Sequence, residues 1–360
     1  MGTVDNITIN RILTQAAERG ASDVHLTAGS QPILRINGEL LTLTEEAVIT
    51  PDIINQVVEF FLPPVKKTLL ETNKSVTIGY NFGNRVRFRL HIDIQKSAPA
   101  IDMRVIPLIV PSASKLNLPK QLIEVTTKKK GLIIISGPLN SGRSTTLAAL
   151  LDQINHTKAR HIVTIEDPIG FQLIGDKALI KQRDLGDDVP SLEVALDDVS
   201  SEDVEVLAID VPVPPTVWPK ILRLSASGTL VFVTIAAENT VTALEYLVNT
   251  VSAHTDSKTF TDLLAETLLL VTCQRLLSRL GGGRILVSEL LISSPAVVSL
   301  LREGRVAGVQ NVLDTSRAEG MVSLERALAE LVKIGEIQAE QAVAQAANPE
   351  SLKSMLRLKQ

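Results

Sequence analysis

From Ile7 to Arg19 the apolar residues fall at helical spacing, Gly20 ends the run, and SDVHLTAG reads as a strand running into a turn. Two short β-like runs, ILRING and ELLTL, follow around Asn37-Gly38, a dipeptide that tolerates positive φ at both positions and so signals a hairpin. The stretch IINQVVEFFL has helical spacing again. SVTIGYNF and RVRFRLHIDI then alternate around Gly83 and Asn84, which predicts a second hairpin. Residues 1–107 therefore read as a small α+β domain with an antiparallel sheet. Pro107, Pro111 and Pro119 punctuate a segment that neither periodicity claims, and 108–120 is read as a linker.

The texture changes at Gly131. GLIIIS, HIVTIE, EVLAID and TLVFVTI are continuous apolar runs separated by helical stretches such as TTLAALLDQI, the pattern of a parallel sheet covered on both faces. This gives an α/β domain over 121–280. After the breaker Gly281 to Gly283 the chain is largely helical (PAVVSLLREG, SLERALAELVKIG, AEQAVAQAA) with one strand-like run, RILVSELLI, so 281–360 reads as a mainly helical module. Internal repeats and low-complexity tracts are absent from the sequence.

Composition narrows the function classes. Of the 360 residues 45% are apolar and 21% charged, an ordinary globular balance. Aromatics at 3% leave few platforms for base stacking, and a net charge of -4 supplies no global field for nucleic acid or anionic lipid. The single cysteine, Cys273, lies in the apolar run LLLVTCQRLL and reads as a small buried side chain, in keeping with a reducing cytoplasm. With no apolar h-region in MGTVDNITINR and no run of about 18 apolar residues, secretion and membrane insertion are not expected.

The chemistry-bearing motif is Gly137-Pro138-Leu139-Asn140-Ser141-Gly142-Arg143-Ser144. It fits the phosphate-binding pattern G-x-x-x-x-G-K-[ST] at every defined position except the lysine, which is Arg143. A buried strand leads in and a helix beginning Ser144-Thr145 leads out, as the motif demands. Successive loop N–H groups and the helix N-terminus would wrap phosphate oxygens, with Gly137, Asn140, Ser141, Gly142, Arg143, Ser144 and Thr145 forming the nucleotide site and Ser144 ligating Mg²⁺. Arginine for lysine is not conservative here, because a planar guanidinium replaces a slim point charge. ATP and Mg²⁺ are the ligands this site would take.

Around this loop the sequence resembles the type IV pilus twitching motility and retraction ATPases, the PilT/PilU-like branch of the GspE secretion ATPase superfamily. ASDVHLTAGSQPILRINGEL is similar to the family's N-terminal signature, and RVRFRL with MRVIP to the end of its N-terminal domain. LAALLDQINHTKARHIVTIEDPIGF is similar to the loop helix leading into the acidic strand called the Asp box. GGGRILVSELLISSPAVVSLLREGR and NPESLKSML are similar to its C-terminal segments, with Ala296 to Glu303 at a motif associated with retraction. The resemblance implies a PAS-like N-terminal domain joined to a RecA-like P-loop domain, assembled as a cytoplasmic hexamer.

The family's catalytic positions are met far less well. GTLVFVTIAA is similar to the His box, but Thr229 and Ala236 stand where the family has histidines. The same register places Val211 at the Walker B glutamate, which would orient the attacking water. Asp210 is one residue away, and alternation along a strand would turn it to the opposite face unless the strand end is bulged. Glu166 and Asp167 of the Asp box survive at a strand end, either as site carboxylates or as a strand terminator before Pro168. Arg87, Arg89 and Arg104 match family arginines, some of which reach a neighbouring subunit's nucleotide, while Ser97 replaces another; alternating arginines also suit a solvated face with ion pairs. His25 and His161 are expected to bond local backbone.

These losses together imply an accessory or regulatory pseudo-ATPase of pilus retraction, in a homo- or hetero-hexamer. Its partners would be the active retraction ATPase or the inner-membrane platform protein, at whose base it would lie peripherally. Two alternatives stand beside it: a slow but active ATPase in which Arg143 and Asp210 compensate, and a nucleotide-sensing scaffold.

Overall fold

In the computed structural model, which describes residues 4–83, 86–251 and 256–357, the chain divides into two compact units. One comprises the residues up to Ile109 together with Asp167–Gln172, and the other comprises Val110–Glu166 with Leu173 onward.

The first unit is a six-stranded sheet of β1 (Asp23–Thr27), β2 (Ile33–Ile36), β3 (Glu39–Thr42), β4 (Ser75–Phe82), β5 (Val86–Gln95) and β6 (Ala98–Pro107), ordered β3-β2-β1-β6-β5-β4. Every pairing in it is antiparallel. Asn37 and Gly38 take φ of 51° and 92°, the doubly positive turn that the dipeptide predicted. Gly83 also has positive φ, while Asn84 lies outside the described residues. The connection from β5 to β6 is made by Lys96 and Ser97 with φ of 49° and 66°, so Ser97 belongs to a tight turn. Helices Val4–Glu18, Pro51–Phe61 and Pro64–Asn73 cover the sheet, burying Leu13, Ile54 and Phe61 against Leu34, Phe88, Leu90 and Met103. Thr50 starts the second of these helices by accepting the Ile53 N–H, with Pro51 at its first position.

The second unit is built on a seven-stranded sheet of β7 (Gly131–Gly137), β8 (His161–Glu166), β9 (Leu179–Asp184), β10 (Val206–Asp210), β11 (Leu230–Ala236), β12 (Leu268–Ser278) and β13 (Arg284–Ile292). Its order is β13-β12-β7-β11-β10-β8-β9, parallel throughout except for β13 against β12. All seven residues of β7 are buried, because helices pack on both faces of a parallel sheet. Edge strand β9, LIKQRD, carries no signal in the apolar pattern: four of its six residues are polar and it pairs on one side only.

Two expected boundaries look different in three dimensions. Gly281, Gly282 and Gly283 all take positive φ and form the turn of the β12–β13 hairpin, so RILVSELLI is an integral strand of the α/β sheet. Within 108–120, Ala113 and Leu118 are buried in the core of the second unit. Beyond β13, helices Leu324–Lys333, Ala339–Gln345 and Pro349–Leu356 gather Leu328, Leu331, Ala342 and Leu352 against Leu277 and Val287 in a small core of their own. No helix among the described residues is long and apolar enough to cross a membrane.

Candidate nucleotide site

The loop Gly137–Gly142 runs from the C-terminal edge of β7 into the helix Arg143–Thr157. Gly142 caps that helix with φ of 88° and no side chain bonds its first turn, so the leading N–H groups are left to an external acceptor. Asn140 bends the loop with φ of 64°. A Cβ at Gly137 would stand 2.4 Å from the Gln274 carbonyl and 2.5 Å from Ser141 Oγ, so only glycine fits. Gln274 on β12, fully buried, donates Nε2 to the Ser141 carbonyl at 3.0 Å and holds the loop to the sheet. Ser141 Oγ is buried without a partner. These features give the loop the shape expected of a phosphate cradle: glycine-lined, with a helix N-terminus that no side chain caps. No group of three or more His, Cys, Asp or Glu able to hold a metal occurs among the described residues, so Mg²⁺ would need phosphate oxygens beside the exposed Ser144. Thr145 is half-buried in the same first turn.

Arg143 is half-buried. Burial pushes its guanidinium below its ordinary basicity, and the charge of Asp210, then Cys273, pushes it back up. Asp210 closes β10, where its Oδ1 accepts from Thr234 Oγ1 on β11 at 2.6 Å. Strand alternation thus turns Asp210 toward the arginine and sends Val211, 3% exposed, into the core with Val217 and Trp218. The Cys273 thiol is buried on β12 and pushed up to about 11 by that burial.

Glu166 ends β8 in register with Asp210, and its Oε1 accepts from Thr164 Oγ1 at 2.7 Å and from Gln182 Nε2 at 2.9 Å. Thr229 is buried just before β11 and donates to the Val204 carbonyl at 3.2 Å. Ala236 is exposed at the other end of that strand, in register with Gly137. A hollow of about 290 Å³ flanks the loop, lined by Asn140, Ser141, Glu238, Arg275 and Arg284 among others. Arg275 is tied there to the Gln345 carbonyl at 2.8 Å and the Glu238 carbonyl at 3.1 Å.

The arginines of the first unit have intramolecular partners. Arg87 donates Nε to the Ile169 carbonyl at 3.1 Å and Nη1 to Asn81 Oδ1 at 2.6 Å. Arg89 donates to the Asp167 carbonyl, and Arg104, paired in register with Arg89, bridges to Asp23 at 3.1 Å. His161 contacts the Asp203 carbonyl through Nδ1 at 2.9 Å, a backbone partner but one 42 residues away rather than local. His25 instead faces the Asp102 carboxylate at 2.5 Å, because antiparallel pairing of β1 with β6 sets the two side by side.

A model of the type II/IV secretion system proteins matches residues 2–184, half of the chain. The type IV pilus retraction ATPase PilT of Pseudomonas aeruginosa is 30% identical over 346 residues, covering 95% of this chain and 99% of that protein. This chain belongs to the type II/IV secretion system protein family. A twitching motility protein of Neisseria gonorrhoeae is 31% identical over 89% of this chain and 86% of its own length. The crystal structure of the pilus retraction motor PilT with bound ADP superposes with a TM-score of 0.85 at 31% identity, covering 96% of this chain and 99% of that one. The family fold is therefore shown: an N-terminal domain, a RecA-like core and C-terminal helices.

The residues that sequence reasoning missed hold the retained ones in place. Gln274 anchors the loop, Thr234 orients Asp210 and Gln182 orients Glu166. Each sits on a neighbouring strand far away in sequence.

Proposed function

We propose that the chain is an accessory or regulatory pseudo-ATPase of type IV pilus retraction, working in a homomeric or mixed hexamer beside an active retraction ATPase or the inner-membrane platform protein. Val211 carries the reading. Where the family places the glutamate that orients water, this chain has an apolar side chain packed into the core. The amides from Gly137 to Thr145 would hold the phosphates of ATP, Arg143 would face their charge, and Ser144 would ligate Mg²⁺. ATP supplies a transferable phosphoryl group, but Val211 cannot accept a proton, and neither Thr229 nor Ala236 offers an imidazole.

Phosphate release by the purified protein tests this. Turnover is expected at least 10³-fold below an active family member, since parts that act as a unit do not compensate singly. Turnover that vanishes in Ser144→Ala and rises in Arg143→Lys would overturn it. That result would favour the second reading, a slow ATPase, for which Asp210 speaks: it faces Arg143 and is fixed by Thr234. Calorimetric titration with ATP separates a nucleotide-sensing scaffold, which binds without turnover, from a chain that no longer binds at all.

A further inference from the structure

A cleft of about 720 Å³ lies in the second unit, away from the phosphate loop, and shares no lining residue with Gly137–Ser144. Its walls come from the segment around Leu118 and Gln121, from Leu286 to Ser288 on β13, from Arg317 to Val322, and from the helix Leu324–Lys333, with Met355 contributed by the last helix. The volume is that of a small-molecule site, for which a mostly apolar lining with a few polar groups is the usual construction. Leu118, Leu286, Met321, Leu331 and Met355 supply the apolar part, and the two methionines can adjust to an irregular ligand.

The polar groups point to the ligand's charge. Ser288 is only 6% exposed, yet its Oγ has no hydrogen-bond partner. Arg326 spends Nη2 on the Asp314 carbonyl at 2.7 Å, whereas its Nη1 is buried with no acceptor. Buried donors are nearly always satisfied in folded proteins, and a cationic donor most of all, so two unsatisfied donors lining one cleft mark a missing acceptor. Three cations line the cleft, Arg317, Arg326 and Lys333, against the one carboxylate of Glu330. Among the described residues none of the three forms an ion pair with a carboxylate, and the guanidinium of Arg326 bonds only the Asp314 carbonyl.

We propose that this cleft binds a small amphipathic anion, a carboxylate or phosphate head on a short apolar body, with the head taken by Arg326 Nη1 and the Ser288 hydroxyl and the body lying against Leu331 and the methionines. Since β13 is hydrogen-bonded to β12, the strand carrying Gln274, occupancy would bear on the strand that anchors the phosphate loop.

The full-length protein is titrated calorimetrically with octanoate and octyl phosphate, with octylamine and 1-octanol as controls, alongside thermal melts. Saturable binding of one or both anions is expected, at least tenfold tighter than either control, with the stronger anion identifying the head group. Arg326→Met should weaken it at least tenfold with an unchanged circular dichroism spectrum. Lys333→Gln, at an exposed position, should weaken it about threefold and keeps the test available if the first variant does not fold. The proposal is overturned if no anion binds up to millimolar concentration, if octylamine or octanol binds equally well, or if folded Arg326→Met and Lys333→Gln both bind as the parent does. Complete displacement of octanoate by ADP would also overturn it, by placing the ligand at the phosphate loop.

Discussion

Glu289 shows how one buried carboxyl sets a pH dependence. It is 4% exposed on β13, and its Oε1 accepts the Thr240 N–H and hydroxyl, each at 2.7 Å. Burial raises its pKa above the ordinary 4.5, the bonds from Thr240 oppose that rise, and the nearby Glu325 adds to it. A carboxyl raised in the folded state contributes stability that is fully present below its unfolded value and is lost as pH climbs through the folded one. Stability should therefore decline upward from about pH 4.5, and Glu289→Gln should flatten that decline in urea melts taken from pH 4 to 8. Glu289→Leu should instead cost about 1–3 kcal/mol, because both Thr240 donors lose their acceptor. Gly137 is equally intolerant for a steric reason. Ala at 137 would drive a methyl into the Gln274 carbonyl, so the variant should lose roughly 2–4 kcal/mol and any nucleotide-dependent thermal shift.

Among the elements, the helix Val4–Glu18 is fastened by a charged clamp as well as by its apolar stripe. Arg11 donates Nε and Nη2 to the two oxygens of Glu46 at 2.6 and 2.5 Å, and Gln15 adds a bond at 3.0 Å. The bidentate arginine holds the Glu46 carboxyl below its ordinary value, so this clamp is present above pH 4.5 and lost as pH falls through the folded value. Arg11→Met should lower the denaturant midpoint at pH 7, and by progressively less as pH falls below 4.5 and Glu46 takes up its proton, measured by denaturant unfolding. Which elements were legible in the sequence follows the same local logic. The Asn37-Gly38 hairpin and the phosphate loop announce themselves because the residues that make the conformation are adjacent in the chain. The Lys96-Ser97 turn does not, since neither residue type favours positive φ and the β5–β6 ladder imposes it. The glycine run at 281 to 283 reads equally as a boundary or as a turn until β13 is seen pairing with β12. Within the site, the loop and its strand–helix context were legible, whereas Gln274, Thr234 and Gln182 were not, because parallel sheets join residues that lie far apart in sequence.

For the molecule as a whole, the packing around position 211 decides what a carboxylate could do there. The core of the second unit runs unbroken from β8 through β10 to the helix Trp218–Ser227, and Val211 is part of it with Val217, Trp218 and Ile221. A glutamate at position 211 would place a carboxylate at a site 3% exposed within an apolar core. Val211→Glu is therefore expected to lower stability by about 3 kcal/mol, seen as an earlier urea midpoint, rather than to restore a catalytic group. The double variant Arg143→Lys with Val211→Glu should release no more phosphate than the parent, because Thr229 is committed to the Val204 carbonyl and Ala236 offers only a methyl. Turnover in that double variant, from a protein no less stable than the parent, would mean that the scaffold kept its catalytic geometry and lost only two groups; a destabilised and silent protein would mean that the core has closed over the position where the glutamate acted.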